Sequence, residues 1–173
     1  TRVGAKTLAA LGGQPVAMPP AQVTEAIAKG VVDGSLGAWE LVYPTKLSEV
    51  TKFHLQPDNG VAYPTATVLT VLMNKQKYES LPADLKAIVD KTSGLPLVER
   101  YGKAWDDATV LARNKVKALP GHSLTVVSGS QYDALLKQLE VVEKEWLADA
   151  KAKGINGEAL VAAARESARK QKN

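Results

Sequence analysis

Thr65-Ala66-Thr67-Val68-Leu69-Thr70-Val71-Leu72-Met73 is the stretch on which a reading of the fold turns. It is nearly continuous in apolarity and rich in β-branched residues, whose stiff side chains suit a pleated surface. A strand with one wet face alternates apolar and polar residues, whereas a strand buried on both faces reads as an unbroken apolar run. Residues 65–73 therefore predict a strand inside an α/β sheet. The run is far shorter than the roughly 18 residues a membrane span needs.

Upstream, Gln56-Pro57-Asp58-Asn59-Gly60 is the strongest turn signal in the chain. Residues 52–55 before it offer a strand. Residues 44–50 suggest a helical turn or two, and Trp39 and Glu40 fall in the loop ahead of them. Nearer the start, residues 7–11 form a short helix stopped by Gly12-Gly13. Pro15-Val16-Ala17-Met18 reads as a short buried strand. Pro19-Pro20 opens a helix with Val23, Ala26 and Ile27 on one face, and Gly30 caps its end.

Downstream the pattern is mostly helical. Leu85, Ile88 and Val89 mark a helix from Pro82 to near Gly94. Pro96 opens a longer one, in which Leu97, Tyr101, Ala104, Trp105, Ala108, Leu111 and Ala112 recur at helical spacing until Pro120-Gly121. Its length is roughly 35 Å at 1.5 Å per residue. Residues 124–127 make a short strand. Ser130 with Asp133 resembles a capping box at the start of the next helix, whose apolar residues run from Leu135 to Leu147. A last helix follows Asn156. Strands and helices alternate at first and helices then dominate, so the class is α/β.

Composition narrows the function. The chain has 173 residues, 45% of them hydrophobic and 23% charged, and no cysteine. Disulfides, thiolate metal sites and cysteine nucleophiles are excluded. The net charge of +4 is scattered and peaks only at residues 165–172, a solvated terminal helix. There is no basic stripe with aromatic or groove-reading elements, so no nucleic-acid partner is expected. The first residues, Thr1-Arg2-Val3-Gly4, lack an initiator methionine and read as a mature protein cut in its middle.

Catalytic and metal-binding signals are weak. The chain has two histidines, His54 and His122, without the spacing of a metal site and without a G-x-S-x-G elbow. Both are read as surface or internally satisfied residues. The glycines at 12–13 and 34–37 do not match a phosphate loop. No catalytic residue, metal or cofactor is assigned, and the protein is not expected to be an enzyme. Trp39, Tyr43 and Tyr63 cluster in loops, where flat rings suit a ligand cleft. Trp105 and Trp146 sit at helical spacing and are assigned to packing.

Three motifs in order carry a family resemblance. Residues 4–19, GAKTLAALGGQPVAMP, resemble a helix ending in Leu-Gly that leads to a strand ending in Met-Pro. Residues 23–34 resemble a helix followed by Gly-x-Val/Ile-Asp-Gly, here Gly30-Val31-Val32-Asp33-Gly34. Met73-Asn74-Lys75, Tyr78 and Leu81-Pro82-Ala83-Asp84-Leu85 resemble a strand-to-helix junction. The pattern is similar to that of the solute-binding proteins of TRAP (tripartite ATP-independent periplasmic) transporters, and it weakens after about residue 120.

The resemblance implies a periplasmic-binding-protein-like fold of two α/β lobes joined by hinges, with a long helix running along both. The chain would be a C-terminal fragment of it. Residues 1–60 would be part of the second lobe, 61–95 a segment of the first, 96–120 the lobe-spanning helix, and 121–173 the rest of the second lobe. The implied function is capture of an organic acid through its carboxylate, in the periplasm, for delivery to a membrane permease. The family's carboxylate-binding arginine would lie upstream of Thr1, and Arg2 does not match it. An Asn of many members is replaced by Gly37, and Trp39-Glu40 matches a subgroup. Trp39, Glu40, Gly37, Tyr63 and Thr65 are accordingly expected to line the cleft, with Gly37 admitting the ligand close to backbone. An alternative is a helical oligomerisation module without a ligand. The expected partners are the organic acid, the permease, and either the missing N-terminal portion or a second copy of the chain.

Overall fold

The computed structural model describes residues 1–58, 61, 63 and 68–170. The elements in order are α1 (Arg2–Ala10), α2 (Pro20–Ala28), β1 (Phe53–Pro57), α3 (Lys75–Glu79), α4 (Ala83–Thr92), α5 (Leu95–Ala118), β2 (Ser123–Val127), α6 (Gly129–Ala152) and α7 (Gly157–Lys170). Two 3-10 turns, Trp39–Leu41 and Leu47–Glu49, lie between α2 and β1.

β1 and β2 form a two-stranded sheet. The Ser123 N–H donates to the Lys52 carbonyl at 2.9 Å, and the Asp58 N–H donates to the Val127 carbonyl at 3.1 Å. The register advances in the same direction on both strands, so the pair is parallel. Parallel strands need a long crossover, and α3, α4 and α5 supply it.

The chain divides into two compact units. One holds residues 1–17, 57–65 and 126–173, and the other holds 18–56 and 66–125. In the first, α1 and α7 each pack on α6. Tyr132 and Ala150 of α6 and Thr7 of α1 are buried there. A side chain at Gly157 would meet Leu147 at 3.0 Å and both Ala150 and Trp146 at 3.1 Å; only glycine lets the first turn of α7 come so close to α6. Lys6 pairs with Glu145 at 2.6 Å and Arg2 with Asp149 at 3.2 Å. As surface pairs these contribute roughly 0–1 kcal/mol each.

In the second unit α5 packs on the first 3-10 turn, and Val42, Ala112 and Val116 are buried. Full burial of a side chain such as Val116 stabilises by about 1.5–3 kcal/mol. The Lys115 ammonium stands 4.8 Å from the centre of the Tyr43 ring, and the Thr24 hydroxyl donates to the Thr45 carbonyl. These contacts fix the segment that carries Trp39.

The helix boundaries follow local chemistry. At the end of α2, Gly30 takes φ +68°, its N–H donates to the Ile27 carbonyl, and Val31 N–H donates to that of Ala26. This is the paired closure that a left-handed residue permits. Asn74 and Asn156 cap α3 and α7 by accepting from the N–H groups of Lys77 and Ala159, each at 3.1 Å. The predicted long helix is α5, 24 residues ending two positions before Pro120.

Four expectations need correction. Residues 15–18 are not a strand, and Val16 is exposed. Of the predicted strand at 65–73, residues 65–67 lie outside the described residues; residues 68–73 are unpaired, with Val68 and Leu72 each 85% exposed. A strand is made by a ladder as much as by composition, and among the described residues the only ladder is β1–β2. Of the turn predicted at 56–60, Gln56 and Pro57 instead complete β1, and Asn59 and Gly60 lie outside the described residues. Ser130 does not cap α6. The helix begins two residues earlier, after Ser128, whose side chain makes no cap bond. Trp105 and Trp146 pack against Tyr101 and Gly157 respectively, and both keep over a third of their surface in solvent.

Candidate functional site

The second unit gathers the chemistry. Trp39 opens the first 3-10 turn after an extended Ala38. Its indole is half-buried and lies 5.6 Å from the His54 ring at a 33° tilt. The His54 ring stacks on His122 at 5.6 Å and 13°, with His54 Nε2 3.3 Å from His122 Nδ1. β1 supplies His54, and the turn before β2 supplies His122. The parallel ladder that starts at Lys52 and Ser123 brings together two residues that are 68 apart in sequence.

The contact between the imidazoles needs one nitrogen to donate and the other to accept. Two imidazolium rings would face donor to donor. Burial, and after it the charge of His122, holds His54 below the ordinary histidine value of 6.5. At neutral pH His54 is therefore an uncharged ring in a row of three flat rings.

Side chains alternate along a strand, so His54 and Gln56 share one face of β1 while Phe53 and Leu55 share the other. The second pair is exposed. Gln56 is only 5% exposed, and its Oε1 is buried without a hydrogen-bond partner. An unmet buried acceptor costs about 1–3 kcal/mol.

The expected site residues separate as follows. Gly37, Trp39 and Glu40 belong to the second unit. Glu40 is half-buried on the same 3-10 turn as Trp39, and Gly37 is exposed with open space where a Cβ would stand. Tyr63 belongs to the first unit. It is half exposed and near enough to Tyr132 to add to the rise that burial gives that phenol's pKa. Thr65 lies outside the described residues. Arg2 is engaged by Asp149. Sequence reading missed the histidine pairing and the burial of Gln56; the period-2 placement of His54 and Gln56 was the one available signal.

Comparison with known proteins gives the class. Residues 1–156 match the family model for bacterial extracellular solute-binding protein, family 7. The chain belongs to this family, whose members serve TRAP transporters as solute-binding proteins, a role that is not enzymatic. Its fold is α/β and periplasmic-binding-protein-like.

A solved TRAP solute-binding protein from an unidentified marine microbe is described as specific for aromatic acid ligands and holds metahydroxyphenylacetate. It shares 34% identity over 96% of this chain and 52% of its own, with a TM-score of 0.86. One from Rhodoferax ferrireducens, with copurified benzoate, shares 30% identity over 96% of this chain and 51% of its own, at TM-score 0.84. A Bordetella bronchiseptica protein with bound mandelate, 24% identical over 96% of this chain and 52% of its own at TM-score 0.77, shares the fold. The chain thus spans about half the length of these solved relatives.

Proposed function

We propose that this chain is the C-terminal half of a periplasmic TRAP solute-binding protein that captures an organic acid and delivers it to the membrane permease. The class of acid favoured is aromatic carboxylates. The observation that carries this reading is the 34% and 30% identity, over 96% of the chain, to two proteins holding aromatic acids. The half-buried ring row of Trp39, His54 and His122 supports it, because stacking and apolar contact suit a flat ligand.

In this proposal Trp39, Glu40, Gly37, Tyr63 and Thr65 contact the ligand. Its carboxylate is held by an arginine outside these 173 residues, whose planar fork meets both oxygens. Residues 61–95 serve the first lobe, 96–120 form the helix that spans both lobes, and 1–60 and 121–173 serve the second. Among the described residues no helix is long and apolar enough to cross a membrane, and the permease supplies the membrane step.

Calorimetry with benzoate tests the proposal on the complete gene product and on the 173-residue chain. The complete product is expected to bind at least 100-fold more tightly. Tight binding by the 173-residue chain would show that the anchor is misplaced, and failure of the complete product to bind any aromatic acid would remove the reading.

A second reading, self-association, is favoured by the exposed Leu95, Val98 and Leu111 of α5. Light scattering separates the two: a concentration-dependent dimer that persists in the complete gene product supports it.

A further inference from the structure

Asn156-Gly157 joins α6 to α7, and the packing calls for both residues. Asn156 is exposed, and its Oδ1 caps α7 by accepting from the Ala159 N–H at 3.1 Å. Gly157 is buried. A Cβ there would stand 3.0 Å from Leu147 and 3.1 Å from both Ala150 and Trp146, so any other residue would push α7 away from α6. The same pair is chemically labile. Glycine carries no side chain to keep its nitrogen from the preceding carboxamide. Attack forms a bond from Gly157 N to Asn156 Cγ and breaks the Cγ–Nδ2 bond. The amide proton leaves with Nδ2 as ammonia. The cyclic imide then takes up one water. Opening at Cγ gives aspartate, and opening at the main-chain carbonyl gives isoaspartate.

Folded geometry slows the attack. The Gly157 N–H donates to the Ile155 carbonyl at 2.9 Å, and Oδ1 is held by Ala159, so nitrogen and carboxamide are each engaged elsewhere. Both bonds lie at the start of α7, and helix ends open at little cost. Farther along, Arg165 pairs with Glu143 at 2.6 Å, a surface ion pair that adds little restraint.

We propose that Asn156 is a deamidation site and that its isoaspartyl product frees α7 from α6. Isoaspartate routes the main chain through Cβ and Cγ of residue 156, which inserts a methylene between the two helices. The cap oxygen becomes a main-chain carbonyl. The former main-chain carbonyl, which accepts from the Leu160 N–H at 3.3 Å, becomes a carboxylate beside the chain. Gly157 sits where not even a Cβ fits, so the added length displaces the first turn of α7. Aspartate keeps the chain length and a cap oxygen, and its charge suits a helix N-terminus. The joint thus registers the age of the molecule as undocking of its last helix.

The test is incubation of the complete gene product in warm, mildly alkaline buffer. Peptide mapping follows aspartate and isoaspartate at residue 156, and hydrogen exchange follows the amides of α7. The wild type is expected to accumulate both products, about tenfold more slowly than in urea, where α7 is open. Exchange in α7 is expected to quicken in proportion to the isoaspartate formed. Asn156→Ser, which retains a cap oxygen but no carboxamide, should keep α7 protected throughout. Freshly purified Asn156→Asp should match unaged wild type. An Asn156 that stays intact in the folded protein while converting in urea overturns the site. Conversion without faster exchange in α7 overturns its consequence. Loosening of α7 in fresh Asn156→Asp would put the effect in the charge and not in the added methylene, which overturns the isoaspartyl route.

Discussion

β1 and residues 68–73 both lie outside the helices, only eleven residues apart, and they differ most in having a neighbour. β1 carries a histidine, a glutamine and a proline, yet it is paired with β2, and one of its faces turns inward. Residues 68–73 are Val, Leu, Thr, Val, Leu and Met, and they lie exposed without a ladder. Apolarity drives burial only where a surface exists to receive it, and backbone amides make a strand only where a second strand answers them. Solved relatives run to about twice the length of this chain, and the additional half is the candidate receiver.

The largest expected effect follows directly. In the complete gene product Val71→Asp should cost about 3–5 kcal/mol, the penalty of burying an unpaired carboxylate in a packed strand. In the 173-residue chain the same change should stay within about 0.5 kcal/mol, as for other surface substitutions. Urea unfolding of both forms measures the contrast. Equal losses in both would mean that residues 68–73 find their cover within this chain.

A smaller effect probes the ladder. Ser123→Pro removes the N–H that bonds the Lys52 carbonyl and should cost about 1 kcal/mol in the 173-residue chain. Thr70→Pro should cost almost nothing there, because residues 68–73 have no ladder bond to lose. In the complete product the order should reverse, with Thr70→Pro the more damaging, as proline is excluded from central strands. If Thr70→Pro is harmless in both forms, the segment is not a strand in either.

The same contrast explains what the sequence could and could not disclose. Elements defined within a dozen residues are legible: α2 between Pro20 and Gly30, α5 ahead of Pro120, and α7 behind the Asn156 cap all carry their own start and stop signals. The motif Gly30-Val31-Val32-Asp33-Gly34 was legible as family. Pairing was not. The stacking of His54 on His122 joins residues far apart in the chain and leaves no local pattern. Gln56 was hidden because Pro57-Asp58-Asn59-Gly60 reads as a turn, and a turn residue is expected to be wet. Of the expected contacts, Gly37, Trp39 and Glu40 share one unit and Tyr63 belongs to the other, an assignment that depends on tertiary contacts and not on composition.

The smallest effect concerns protons on the paired side of the comparison. His54 titrates below 6.5 in the folded chain because burial, and next His122, disfavours its charge. The unfolded chain then binds more protons than the folded one from about pH 7 downward, so stability rises with pH through this window. Read in the other direction, stability is lost as pH falls past 6.5 toward the lowered value. The ionisable groups on the adjoining elements are Glu40 on the 3-10 turn, Lys52 ahead of β1, and Lys115 and Lys117 in the last turn of α5. Lys115 is held over Tyr43. Melting temperatures recorded from pH 7.5 to 5 should therefore decline, and His54→Phe should flatten the decline while preserving the ring row. His122→Phe should flatten it less, since it removes only the second of the two causes. A decline identical in His54→Phe and wild type would place the acid sensitivity elsewhere and separate it from the β1–β2 pair.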